Sequence, residues 1–257
     1  VKKLLVHAVS VTVAIAFFCA ADSKAAAPVA LVYEGPGNCE GSCSDAAAEI
    51  PARMGMRIRF VNAKTIKKAD FEDAVLWMQP GGNAIRAARA LGPKGLKLIR
   101  DFVEGGGGYV GFCAGAFMTD TTTDYAGNVP GLGFVPGSQD YFKVQQDEKP
   151  VLVNVNWRGK MRKIYFNQGG YFDFQNSKQP LTVLGWFENN EGMPRVPASV
   201  FLNWGHGKVA VMGAHPEATA AWKRTDDLED PDGSDQDIAE EMVRMVLPKG
   251  TLQNLTR

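Results

Sequence analysis

Short apolar runs separated by stretches that suit helices set the rhythm of the first half of the chain. "VALVY" (29–33), "MRIRFV" (56–61), "AVLWM" (74–78) and "YVGF" (109–112) each read as a buried strand. A loop rich in glycine and cysteine follows the first, then an alanine-rich stretch expected to be helical up to Pro51. From Pro93, which suits a first helical turn, Leu96, Ile99 and Val103 fall on one face, and Gly105 to Gly108 end the helix. Strands alternating with helices predict a parallel sheet covered on both faces.

The second half changes character. "VLVNV", "KIYF", "LTVLGWF", "ASVFLNW" and "KVAVMGA" follow one another with little helical pattern between them, so antiparallel additions to the sheet are expected. Gly205 and Gly207 around His206 mark a hairpin turn. A last helix is expected from about Ser234 to Val246, with Ile238, Met242, Met245 and Val246 on one face. The seven acids between Asp226 and Asp237 do not follow the EF-hand spacing. They read as a solvated loop that caps this helix.

The N-terminus reads differently. Lys2 and Lys3 precede the apolar "LLVHAVSVTVAIAFFCAA" and then "DSKAAAP", the layout of a secretory signal cleaved near Ala25. The expected organisation is a signal peptide over 1–25 and a single domain over 26–257. The protein is then exported, periplasmic or secreted, with no stable membrane insertion after cleavage. A retained anchor is the alternative, because the apolar run approaches spanning length. The full chain carries 28 basic and 28 acidic side chains, and loss of residues 1–25 leaves a net charge of −2. No basic field points to nucleic acid. Three cysteines (Cys39, Cys43, Cys113) and two histidines (His206, His215) remain for any thiol chemistry.

Cys113 lies between Gly111 and Gly115 directly after the fourth strand. Gly-x-Cys-x-Gly in that place is the cysteine form of a nucleophile elbow, with a following helix from about Ala114 pointing its positive end at the sulfur. A cysteine nucleophile needs a base, and the base an orienting carboxylate. His215-Pro216-Glu217, after "VAVMGA", supplies both. Pro80-Gly81-Gly82 follows the third strand. The N–H groups of Gly81, Gly82 and Ala114 are candidates for an oxyanion hole. Cys39 and Cys43 are expected to pair as a disulfide in an oxidising compartment. Zinc binding with Cys113 or His215, or exchange with Cys113, are the other readings. No metal or cofactor is expected.

"PGG", "GFCAG" and "HPE", in that order, resemble the class I glutamine amidotransferase-like superfamily. "MQPGG", "IRDFVEGGGGYVGFCAGAF", "IYFNQGGYF" and "GKVAVMGAHPE" narrow the resemblance to the biotin-protein ligase N-terminal (BPL-N) domain family, over roughly Val29 to Val246. The resemblance implies an α/β, flavodoxin-like three-layer sandwich with a mostly parallel, doubly wound sheet, and Cys113, His215 and Glu217 as a triad. It does not imply biotin ligation, since no Gly-Arg-Gly-Arg adenylate motif is present. Asn83-Ala84-Ile85 depart from the subfamily's polar and aromatic pattern. Asn83, Asn167, Gln168 and Tyr171 are candidates for lining a substrate pocket.

The function expected from these residues is cysteine-dependent hydrolysis of a small-molecule or peptide amide, of γ-glutamyl, peptide or cell-wall type, through a thioester. The alternatives are a catalytically silent binding or regulatory module and a redox-active thiol protein. Neither the acyl acceptor nor the oligomeric state follows from the sequence.

Overall fold

The computed structural model describes residues 26–39, 42–135, 138–144, 149–174, 180–190 and 192–251. The expected signal segment lies outside them. Eleven strands and five helices form the described chain: β1 (Val29–Tyr33), α1 (Cys43–Arg53), β2 (Arg57–Val61), β3 (Ala74–Gln79), α2 (Ala84–Glu104), β4 (Gly108–Phe112), α3 (Ala114–Phe117), β5 (Ser138–Tyr141), β6 (Val151–Trp157), β7 (Lys160–Phe166), β8 (Gly170–Asp173), β9 (Thr182–Phe187), β10 (Val196–Trp204), β11 (Gly207–Met212), α4 (Ala220–Thr225) and α5 (Gln236–Val246).

Nine strands make one sheet in the order β2-β1-β3-β4-β11-β10-β9-β6-β7. The first five pair in parallel and the last four join antiparallel. The split matches the change of pattern along the sequence, except that β11 returns from the antiparallel half to lie parallel beside β4. That return brings the end of β11 to the same edge as the ends of β1, β3 and β4, where α/β proteins place their sites. Strands β5 and β8 form a separate two-stranded ribbon.

Period-two burial explains the three layers. Val29, Leu31 and Tyr33 of β1 face one core with Trp77, Tyr109 and the apolar side of α2. Ala30 and Val32 face the other, with Met78, Phe112 and the apolar sides of α1 and α5. Strands β1, β3, β4 and β11 are buried on both faces, which is why they read as continuous apolar runs, whereas the edge strand β2, expected to be buried, is partly open to solvent, with Phe60 42% exposed.

The helices differ from expectation in three places. Helix α1 runs past Pro51 to Arg53. Helix α2 starts at Ala84, before Pro93, and is interrupted at Gly92 (φ 59°, ψ −176°), so Pro93 opens its second segment. The helix after Cys113 is one turn long, because outside donors take its carbonyls. Tyr109 Oη donates to Gly115 O at 2.7 Å, and Gln139 Nε2 donates to Ala116 O at 2.6 Å. So short a helix contributes little dipole, and the expected field on the sulfur is correspondingly weak.

The acidic loop is also a correction. It is not merely solvated. Lys223, buried, bonds Asp230, Asp235 and the Gly233 carbonyl. Arg162, also buried, pairs with Asp232, Asp235 and Asp237. Asp235 precedes α5 but makes no side-chain cap, since both cations draw its carboxylate away.

Candidate active site

Cys113 occupies the turn between β4 and α3 with φ 48° and ψ −106°, a left-handed conformation that costs a non-glycine residue about 1–3 kcal/mol. The surroundings hold it there. Its N–H donates to Met212 O on β11 at 2.9 Å, and its carbonyl accepts from Ala116 and Phe117. The flanking glycines make the close packing feasible. A side chain at Gly111 would meet Gly115 O at 2.5 Å, and one at Gly115 would strike the carbonyl of Gln79 on β3.

His215 follows β11 by three residues. Its N–H donates to Tyr165 O at 2.9 Å, and the turn closes with Ala218 N–H donating to His215 O at 3.1 Å. Inside this turn His215 Nδ1 meets Glu217 Oε1 at 2.8 Å, both side chains being buried. The Cys113 side chain is close enough to the imidazole to act on it. Burial pushes His215 down, but the Glu217 carboxylate and Cys113 together override it and push the imidazole up to about 10. Glu217 is fully buried and its second oxygen, Oε2, has no hydrogen-bond partner among the described residues. Its charge is therefore compensated through His215.

A cavity of about 860 Å³ opens on this group. Cys113, His215, Gly82, Asn83, Asn167 and Gln168 contribute to its wall. The loop carrying Asn167 and Gln168 arrives by a backbone crossing. A side chain at Gly169 or at Gly213 would strike the opposite strand's main chain, so glycine is required at both. The crossing sets Asn167 O 3.7 Å from Cys113 Sγ, as an acceptor for the thiol. Gly81 is buried against the His215 ring, where a side chain would collide with Cε1. Gly82, at φ 127°, bridges the loop after β1 through Asn38. Ala114, buried, begins α3, where an N–H has no intrahelical acceptor.

Of the pocket candidates, Asn83 keeps its place and has a second role, whereas Tyr171 needs correction. Asn83 lines the cavity, but its Oδ1 accepts from Arg86 N at 2.9 Å and caps α2. Tyr171 is not among the residues lining the cavity. It pairs with Asp140 in the β5–β8 ribbon and packs against the core shared with α1 and α5. Cys39 and Cys43 are joined by a disulfide, with Cα atoms 5.6 Å apart, and both sulfur-bearing residues line the cavity. His206 occupies the β10–β11 turn, far along the strand from His215, and its N–H donates to Glu104 O.

The sequence reading missed the aromatic wall. Tyr165, Trp222 and His215 form a triangle of edge-to-face contacts with centroids 5.5–5.8 Å apart. Phe117, Tyr141 and Tyr125 line the opposite side. Tyr165 stands one turn of strand before Asn167, inside a motif already singled out; Trp222 follows the His-Pro-Glu turn by five residues and carries no local signal. Among the described residues, no three histidine, cysteine, aspartate or glutamate side chains are placed to hold a metal ion.

Comparison with known proteins agrees with this architecture. A solved glutamine amidotransferase superposes with a TM-score of 0.56 at 19% identity, covering 72% of this chain and 90% of its own. A catalytic mutant of a GH42 β-galactosidase from G. stearothermophilus superposes with a TM-score of 0.53 at 13% identity, over 87% of this chain and 31% of that one. At such identities the likeness concerns the fold, which is of the class I glutamine amidotransferase-like, flavodoxin type, and the second match warns that this fold serves unlike proteins. The biotin–protein ligase of Schizosaccharomyces pombe is 26% identical over 182 residues, 63% of this chain but only 29% of the ligase. The family model described as biotin-protein ligase, N terminal, matches residues 29–253, and the chain belongs to that family.

Proposed function

We propose that the protein is an exported cysteine hydrolase acting on an amide through Cys113, His215 and Glu217. The observation that carries the reading is the alignment itself: a strained cysteine at a cavity wall, beside a buried histidine whose protonated form is favoured by the buried glutamate that fixes it. A thiolate beside an imidazolium is the form in which cysteine attacks carbonyl carbon.

In this mechanism Cys113 Sγ adds to the amide carbonyl. The N–H groups of Gly81, Gly82 and Ala114 receive the oxyanion. The carbon–nitrogen bond breaks as His215 Nε2 gives its proton to the leaving amine, which leaves a thioester on Cys113. Water then gives its proton to His215 and its oxygen to the acyl carbon, releasing a carboxylic acid and restoring the thiolate. Glu217 stabilises the imidazolium throughout. Export is supported by the Lys-Lys, apolar and small-residue succession over 1–25 and by two cysteines placed to pair in an oxidising compartment.

The test is a screen of amide substrates with intact-mass detection of an acyl adduct, beside Cys113→Ser and His215→Ala. An adduct confined to the parent, with amine release, is expected. Neither adduct nor release across the amide classes would favour the silent binding module.

A further inference from the structure

Charge is distributed unevenly around the cavity. Asp120, Asp124 and Asp226 contribute to its lining, and no lysine or arginine does among the described residues. None of the three carboxylates is in an ion pair with a described cation. Asp226 accepts from Tyr165 Oη at 2.7 Å, Asp124 from Val129 N at 2.8 Å, and Asp120 from Gln139 N at 3.1 Å and Thr121 N at 2.6 Å. All of these donors are neutral, so they bring no counter-charge to the carboxylates. Just behind the rim, Asp140 accepts from Tyr125 Oη at 2.8 Å, which adds a fourth acid on the same side.

The uncharged part of the wall has the same preference. Phe117, Tyr125, Tyr141, Tyr165 and Trp222 present aromatic surface whose ring faces attract cations and repel anions. A separate polar group is also unsatisfied. Gln139 is nine-tenths buried in this wall, and both of its Nε2 bonds, to Ala116 O and Thr119 Oγ1, are made. Its Oε1, enclosed within the wall, has no partner among the described residues, so the wall there is short of a donor. A protonated amine brings donors and positive charge together. A ligand carboxylate brings neither, and the one basic side chain in the described lining, His215, is already paired with Glu217.

We infer that the cavity beside Cys113 selects acyl donors carrying a positively charged amine near the scissile amide and rejects donors that present a free carboxylate there. This rests on the hydrolase reading for the word donor, but the charge selection of the cavity does not. Of the amide classes considered, amine-bearing peptide or cell-wall amides fit, and γ-glutamyl compounds with a free carboxylate next to the reacting group do not.

The selection can be measured on the thiol without turnover. Cys113 in the full chain is modified with methanethiosulfonate reagents carrying either a trimethylammonium or a sulfonate group. The Cys113 peptide is followed by mass spectrometry, and each rate is divided by that reagent's rate on 2-mercaptoethanol. The expected normalised ratio favours the cation by about tenfold or more, and falls as salt is raised. Asp124→Asn with Asp226→Asn keeps the acceptor oxygens, so the fold is retained, and the ratio should fall toward one. Equal rates, a preference for the sulfonate, or a Cys113 closed to both reagents would overturn the inference.

Failure of the hydrolase reading looks different. A cation preference that persists in His215→Ala, with no adduct in the amide screen, would support the charged cavity and sink the enzyme. Amide turnover with no charge preference would do the reverse.

Discussion

The fold holds two buried clusters of charge, and only one of them has the features of a reactive site. Around Arg162 and Lys223 every charge is answered. Arg162 bonds Asp237 through two nitrogens at 2.9 Å and the Ser234 carbonyl at 2.8 Å, and Lys223 binds Asp230, Asp235 and Gly233. Asp235 is pushed up to about 6 by burial, against the pull of both cations. Around Cys113 the pairing is incomplete. Glu217 keeps an unpartnered oxygen, the cysteine backbone is held at positive φ, and a cavity reaches the thiol. Burying charge is therefore not what marks the site. Nor is an unsatisfied carboxylate oxygen, since Asp235 Oδ1 lacks a hydrogen bond as Glu217 Oε2 does; the mark is a strained backbone at a thiol that a cavity reaches.

Substitutions should separate the two clusters. The largest effect is expected from Cys113→Ser, which should lower amide hydrolysis by about a thousandfold or more while leaving the melting temperature nearly unchanged. Turnover assays with calorimetry check both halves. Arg162→Ala should do the opposite. Leaving three carboxylates without their cation should cost about 3–5 kcal/mol in urea unfolding, with the alkylation rate of Cys113 in the folded protein preserved. If alkylation collapsed as well, the two clusters would be one functional unit.

Gly115→Ala sharpens the contrast from the backbone side. Its new methyl group meets the Gln79 carbonyl, so α3 must shift, at about 1–3 kcal/mol and with slower Cys113 alkylation. Asn83→Ala removes only the cap of α2, at about 1 kcal/mol, and should leave Cys113 reactivity intact.

A further contrast lies in pH dependence. His215 is raised in the folded state from 6.5 to about 10. Its contribution to stability is then fully present below 6.5 and is lost as pH rises through the folded value. The stability gap between the parent and His215→Gln in urea should shrink from mildly acidic pH to alkaline pH. A gap that grows with pH would mean the imidazole is buried neutral.

Much of this was legible in the chain. The apolar runs 29–33, 74–78 and 109–112 could be read because double burial leaves no polar alternation, and the Cys113 elbow because only glycine tolerates the approach of Gln79 and Gly115. What was not legible depends on distant partners. The single turn of α3 is ended by Tyr109 and Gln139, and the acidic loop is organised by Arg162, some seventy positions upstream. Tyr171 looked like a pocket residue because it follows Asn167 and Gln168, but the start of β8 carries it into a ribbon with Asp140. The aromatic wall is assembled from four separate segments, and no local pattern announces it.

The central claim is that Cys113 and His215 act as a pair. It is tested most directly by the rate of Cys113 alkylation with iodoacetamide, a neutral reagent, at pH 7 in the parent and in His215→Ala, read by mass spectrometry on the Cys113 peptide. The account predicts a fall of about tenfold or more in the variant, the equivalent of about 1.4 kcal/mol of thiolate stabilisation. Equal rates, or a thiol inert in both, would contradict it.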